Sequence, residues 1–327
     1  MTKTKTAPDR GPRPRQPAAG GFRRGHAALR RETAGLAPVS GDPAEVGAPV
    51  RAELVSVPTE TVPLDGLYYE AESKAAGAVL LFHGNTMNFY TGPPRFLPPA
   101  LTRLGLACLA FNRRGHDILS TRNSREAEGG AFQLAREGIE DNRSAARWLA
   151  ARGFAHPVVI GHSNGGMLAV RHVADDPGTP ALVLLSTHLG GKDILERTSK
   201  AGLMAQDRVE EFNARARALV AEGRGRELIL MPGWWYAISA ESYLDRLTGT
   251  PDVLELAPKI KCPTLYVRGD REPRENYPAE DFQARAGGPC DVEIVPGCDH
   301  FYNGREEAIQ RLVSSWLAKA LHLDTTR

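Results

Sequence analysis

The sequence predicts an α/β protein, a doubly wound and mostly parallel sheet with a helical cap inserted late in the chain. Three observations predict it: short apolar runs typical of buried strands recur along the chain, helical patterns separate most of them, and one interval between strands is too long for a simple crossover. A length of 327 residues suits one large domain with an insertion. With 42% hydrophobic and 24% charged residues and no apolar run near the ~18 needed to cross a bilayer, the composition argues against membrane-spanning, collagenous and wholly disordered classes.

The net charge of +2 conceals an asymmetry, because residues 1–40 hold nine of the 41 Lys and Arg but only Asp9 and Glu32 of the 39 acids. The head is therefore strongly basic, and the rest of the chain is slightly acidic. A body without a strong positive field is not expected to bind nucleic acid. Residues 1–46 are rich in Pro, Gly, Ala and Arg, too poor in large apolar side chains to offset their ordering entropy, and read as a disordered basic extension. Residues 47–327 form the folded domain.

Within that domain, Arg51 to Val57 and Thr61 to Glu70 read as two strands, the second carrying the turn signal Asp65-Gly66. Apolar runs follow at Ala78–Phe82, Cys108–Phe111, Val158–Ile160, Ala181–Leu185, Thr264–Val267 and Val292–Val295. A helix is predicted over 127–151, with Phe132, Ala135, Ile139, Ala145, Trp148 and Leu149 on its buried face and Glu137, Glu140 and Asp141 opposite. About 75 residues separate the strand ending near Ser186 from the one starting near Thr264, where a crossover needs about 30. The excess, about 189–258, reads as the cap, with helical patterns over 209–223 and 240–247 and the aromatic cluster Trp234-Trp235-Tyr236. Lying over the carboxyl ends of the strands, such an insertion is expected to send at least one of these aromatics into a substrate pocket.

The chemistry-bearing signal is Gly161-His162-Ser163-Asn164-Gly165, directly after the strand Val158–Ile160 and before a helical stretch. The string G-x-S-x-G is weak alone in a chain with 33 glycines, but its strand-turn-helix setting is specific. The serine must project from a strained turn, and side chains two positions before and after it would collide with the neighbouring strand and helix. Ser163 is thus the candidate nucleophile, and the Asn164 amide at the helix N-terminus is an oxyanion donor. The loop after the strand Ala78–Phe82 offers a second donor, the Asn85 amide, with His83 shaping the loop. The base should follow the last strand, which singles out His300 among nine histidines. The orienting acid should follow the strand Thr264–Val267, where Asp270 and Glu272 are both available.

Together these residues make positions 50–321 resemble the α/β-hydrolase superfamily. In that superfamily the acid commonly stands three residues after a glycine and just before a proline, a register that here falls on Glu272, with Asp270 as its rival. The stretch Phe111-Asn112-Arg113-Arg114-Gly115-His116-Asp117 resembles the family's Arg-Gly turn after the fourth strand, which is usually structural. The resemblance implies acyl chemistry, since dehalogenases and epoxide hydrolases of the superfamily carry aspartate at the elbow. The expected activity is hydrolysis of a small carboxylic ester through an acyl-enzyme, without cofactor or metal. Amide, thioester or carbon–carbon cleavage by the same triad, and a binding protein that has kept the fold, are the alternatives. Cys108, Cys262, Cys290 and Cys298 form no CxxC pair or zinc-type spacing, and no apolar stretch follows the N-terminal charges, so a cytoplasmic protein is expected.

Overall fold

In the computed structural model, residues 50–121, 126–202, 204–233 and 237–323 are described. The basic stretch 1–46 and the aromatics Trp234, Trp235 and Tyr236 lie outside the described residues. Eight strands form one sheet: β1 (Glu53–Val57), β2 (Leu64–Tyr69), β3 (Gly77–Phe82), β4 (Leu106–Phe111), β5 (Val158–His162), β6 (Leu182–Leu185), β7 (Thr264–Gly269) and β8 (Cys290–Val295). Their spatial order is β1-β2-β4-β3-β5-β6-β7-β8. β1 and β2 form an antiparallel hairpin and β2 runs antiparallel to β4, whereas every pair from β4 through β8 is parallel. The chain reverses its direction of winding at β3, so loops at the carboxyl ends of β3 and β5 flank a crevice.

Ten helices accompany the sheet among the described residues: α1 (Pro93–Phe96), α2 (Pro98–Arg103), α3 (Ala135–Ala150), α4 (Asn164–Asp175), α5 (Ile194–Lys200), α6 (Val209–Ala221), α7 (Ala240–Thr248), α8 (Val253–Leu256), α9 (Ala279–Arg285) and α10 (Glu306–Ala320). The central strands bury both faces. In β3, Ala78, Leu80 and Phe82 enter one core while Val79 and Leu81 enter the other, the period-2 alternation of a strand covered on both sides. β8, at the sheet edge, differs from its apolar appearance: Asp291 and Glu293 are exposed and Val292 and Ile294 only half-buried. Four helices, α5 to α8, and a two-stranded ribbon (228–229 with 238–239) occupy the stretch between β6 and β7.

Three sequence expectations need correction. Asp65-Gly66 is no turn: both residues lie inside β2, Asp65 opposite Ser56 and Gly66 opposite Val55. Gly66 is required by close packing instead, since a Cβ there would meet the Ala110 carbonyl oxygen at 2.8 Å. The helix expected from 127 begins only at Ala135. Gly129 stands at φ 111°, a backbone that L side chains rarely adopt, and a short ribbon and one 3-10 turn precede the helix. Asp141 also changes sides. It is fully buried, accepting from the Arg114 backbone N–H and guanidinium at 2.8 Å each, so the Arg-Gly turn after β4 is anchored to α3 by an ion pair whose carboxylate is buried and whose arginine is half-buried.

Candidate active site

Ser163 sits between β5 and α4 at φ 55°, ψ −119°, a sparsely populated backbone conformation for a residue with a side chain. The surrounding glycines explain why the turn can close. A Cβ on Gly165 would strike the carbonyl oxygens of Phe82 and His83, one on Gly161 would lie 2.7 Å from the Gly166 Cα, and one on Gly166 would strike the Thr187 side chain. The elbow is wedged between the ends of β3 and β6, and the helix packs too closely for any β-carbon at these positions.

Two loops at the carboxyl edge of the sheet build a relay that ends on Ser163. His300, in the loop after β8, places Nε2 3.0 Å from Ser163 Oγ and Nδ1 2.7 Å from Glu272 Oε1. Glu272 follows β7 in a turn closed by its own N–H onto the Gly269 carbonyl at 3.2 Å. Its second oxygen accepts from Ser186 Oγ at 2.7 Å and from the Gly269 N–H at 2.9 Å. All three side-chain and backbone groups that meet the carboxylate oxygens can donate to it. Asp270, the rival acid, is exposed, and its carboxylate has no hydrogen-bond partner among the described residues; only its backbone N–H is engaged, donated to Val295 O at 3.1 Å. The reason is the direction of the turn: after Gly269 the chain leaves the sheet edge at Asp270 and folds back at Glu272.

His83 is fully buried, and its ring bridges two loops: Nε2 accepts the Arg113 N–H at 3.1 Å while Nδ1 lies 2.7 Å from the Gly84 carbonyl oxygen. Burial holds its pKa well below the ordinary histidine value, with the nearby Arg113 charge acting the same way. The ring is a neutral strut for the β3–β4 loop. On that loop, the Asn85 N–H has no backbone partner among the described residues, and neither has that of Asn164 at the first turn of α4.

Sequence reasoning passed over four residues here. Ser186 follows β6 at φ 45° and grips Glu272; its hydroxyl also lies 2.7 Å from that of buried Tyr302. His162, the residue before Ser163, donates from Nε2 to the His300 carbonyl oxygen at 2.9 Å. Its burial, helped by the neighbouring His300, drops its pKa to about 3, so it is neutral and its donor proton is fixed. Gln133 and Arg246 reach the side chains of the two asparagines, Gln133 Nε2 at 3.5 Å from Asn164 Oδ1 and Arg246 Nη2 at 3.4 Å from Asn85 Oδ1. The only hint in the sequence was the location of Ser186 and His162 at strand ends; the other two meet partners more than thirty residues away.

Ser163 and His300 floor a cleft of about 780 Å³. Its walls among the described residues come from the β3–β4 loop, including Thr86, Met87 and Phe96, and from Phe301 and Asn303 after His300. The expected wall of Trp234, Trp235 and Tyr236 lies outside the described residues. No group of three or more His, Cys, Asp and Glu side chains suited to a metal occurs among the described residues, and no helix there is long and apolar enough to cross a membrane.

A family model for the alpha/beta hydrolase family matches residues 79–313. The chain belongs to the alpha/beta hydrolase family. Among solved structures, this alpha/beta hydrolase is similar to Est1E from Butyrivibrio proteoclasticus with ferulic acid bound, at 14% identity over 82% of this chain and 99% of that one (TM-score 0.64). It is also similar to the alpha/beta hydrolase GrgF from Penicillium sp. sh18, at 16% identity over 84% and 100% (TM-score 0.65). A thermostable carboxyl esterase from Bacillus coagulans in complex with glycerol matches at 14% identity over 84% and 100% (TM-score 0.64). No curated protein matches the chain. At these identities the likeness is one of fold.

Proposed function

We propose that this alpha/beta hydrolase cleaves carboxylic esters of small molecules, with Ser163 as nucleophile, His300 as general base and acid, and Glu272 as the orienting carboxylate. The observation that carries the reading is the unbroken chain Ser163 Oγ, His300, Glu272, with steps of 3.0 and 2.7 Å, on the floor of an open cleft. Glu272 accepts a hydrogen bond from Nδ1–H, which leaves Nε2 bare to receive the serine proton.

In the acylation half, Oγ attacks the ester carbonyl carbon as its proton passes to His300 Nε2. The carbonyl oxygen becomes an oxyanion held by the Asn85 and Asn164 N–H groups and favoured by the positive end of α4. As the tetrahedral intermediate collapses, the C–O bond to the alcohol breaks and His300 returns the proton to the leaving oxygen. In the second half, water gives a proton to His300 while attacking the acyl carbon, and collapse releases the carboxylic acid and restores Ser163. Thioester, amide and carbon–carbon cleavage could use the same three residues; the name of one similar structure, a carboxyl esterase, inclines the reading toward oxygen esters. The test is a series of p-nitrophenyl esters of graded chain length, with Ser163→Ala as control. Turnover at some chain length that vanishes in the variant supports the proposal, and no turnover across the series counts against an ester substrate.

A further inference from the structure

Both proposed oxyanion amides belong to asparagines whose side chains are held from behind. Asn164 Oδ1 faces Gln133, and Asn85 Oδ1 faces the guanidinium of Arg246. Gln133, Asn164 and Arg246 together line one small cavity behind the elbow. Arg246 comes from the last turn of α7, in the stretch between β6 and β7, and reaches across to the β3–β4 loop. It is only 6% exposed.

A buried arginine is expensive to retain, because a cation removed from water loses hydration that packing alone does not return. Its pKa is pulled down to about 10 by that burial, with Asp245 opposing, so it still carries its charge at neutral pH. Asp245 is itself engaged, its carboxylate accepting the Ala135 N–H at 2.7 Å at the start of α3. Neighbouring residues of α7 are thus tied to two elements of the main domain.

We propose that Arg246 is a positioning residue of the oxyanion site, fixing Asn85 through its side chain and adding a buried positive charge behind the two amides. The inference rests on the hydrolase reading above. A loop amide reproduces its aim only when the loop is held, and a fixed charge in a poorly solvated place stabilises a developing oxyanion more than a neutral ground-state carbonyl. The contact also makes the oxyanion loop answerable to the β6–β7 insertion: displacing α7 would loosen Asn85.

The test is steady-state kinetics on the best p-nitrophenyl ester for the wild type, Arg246→Lys, Arg246→Met and Asn85→Ala, with melting temperatures, plus inhibition by phenylboronic acid. The boronic acid accepts Ser163 Oγ as a fourth ligand, the serine proton passing to His300, and so presents a tetrahedral anion to the same amides. Arg246→Met is expected to lower kcat about 30-fold with KM within two-fold, a loss of the size seen when an oxyanion interaction is weakened, and to weaken boronate inhibition in proportion. Arg246→Lys should recover part of both. Asn85→Ala should lower kcat in the same way, and Arg246→Lys added to it should cost little more, which keeps the test open if Arg246→Met does not fold. Unchanged kcat and boronate inhibition in folded Arg246→Met, or full additivity of the Asn85 and Arg246 changes, overturns the inference alone. A wild type that neither turns over esters nor binds the boronate overturns the hydrolase reading and the inference with it.

Discussion

Replacing Glu272 by glutamine keeps the shape of the side chain and removes only its charge and half its acceptor capacity, so the consequences can be worked out donor by donor. The native carboxylate receives the His300 Nδ1 proton on Oε1, and the Ser186 hydroxyl and Gly269 N–H on Oε2. An amide NH2 in the Oε2 position would confront the Gly269 N–H, a backbone donor that cannot rotate away. The amide therefore turns its NH2 toward His300, which must then accept at Nδ1 and carry its proton on Nε2, facing Ser163 with a donor. The base is in the wrong tautomer, and the imidazolium formed during attack has lost its counter-charge. Loss of the orienting carboxylate in this way costs roughly 10³–10⁴ in kcat, equivalent to about 4–5.5 kcal/mol of transition-state stabilisation. Asp270→Asn, at an exposed carboxylate, should stay within about two-fold, as surface substitutions generally do. The assay is kcat for both variants on one p-nitrophenyl ester, with melting temperatures to certify folding. A folded Glu272→Gln within ten-fold of wild type, or an Asp270→Asn that loses more, refutes the tautomer argument.

Other expectations follow from neighbouring contacts. Ser186→Ala removes one of three donors to Glu272 and, at about 1.5 kcal/mol for a charge-assisted bond, should lower kcat about ten-fold; KM should hold, and an unchanged kcat would mean that the remaining two donors suffice. Gly166→Ala would drive a methyl into the Thr187 side chain, costing about 1–3 kcal/mol and lowering Tm by several degrees in a scanning calorimeter; an unaltered Tm would contradict the tight elbow. His162 and His188 are held neutral by burial, each at about 3, whereas the unfolded chain takes up protons below about 6.5. Their contribution is intact above pH 6.5 and is lost as pH falls toward 3, so at pH 5 each should remove roughly 2 kcal/mol relative to pH 7.5. Urea midpoints at the two pH values measure this, and equal midpoints would argue against buried neutral rings.

The sheet and the elbow were legible because both leave local marks. Parallel strands buried on two faces read as apolar runs, and a serine elbow needs glycines at fixed offsets whose collisions are now identifiable at Phe82, His83 and Thr187. The register that the family resemblance implies, three residues past Gly269, favours Glu272 over Asp270, and Glu272 is the carboxylate that meets His300. What the sequence could not display was adjacency between distant segments. Asp141 looked like a solvent-facing helix residue because its partner, Arg114, lies on another element. Asp65-Gly66 looked like a turn because the reason for the glycine, the neighbouring β4 backbone, is absent from local sequence. Ser186, His162 and Arg246 escaped notice for the same reason: each matters through a partner that only the fold brings near.

The central claim, that Ser163 is a nucleophile activated by His300, is tested most directly by titration with a fluorophosphonate probe followed by mass spectrometry of the labelled peptide. The fold and relay described here predict stoichiometric modification of Ser163 alone, with ester hydrolysis falling in step with labelling and neither observed in Ser163→Ala. Absence of labelling in the folded wild type, or labelling that persists in Ser163→Ala, would contradict it.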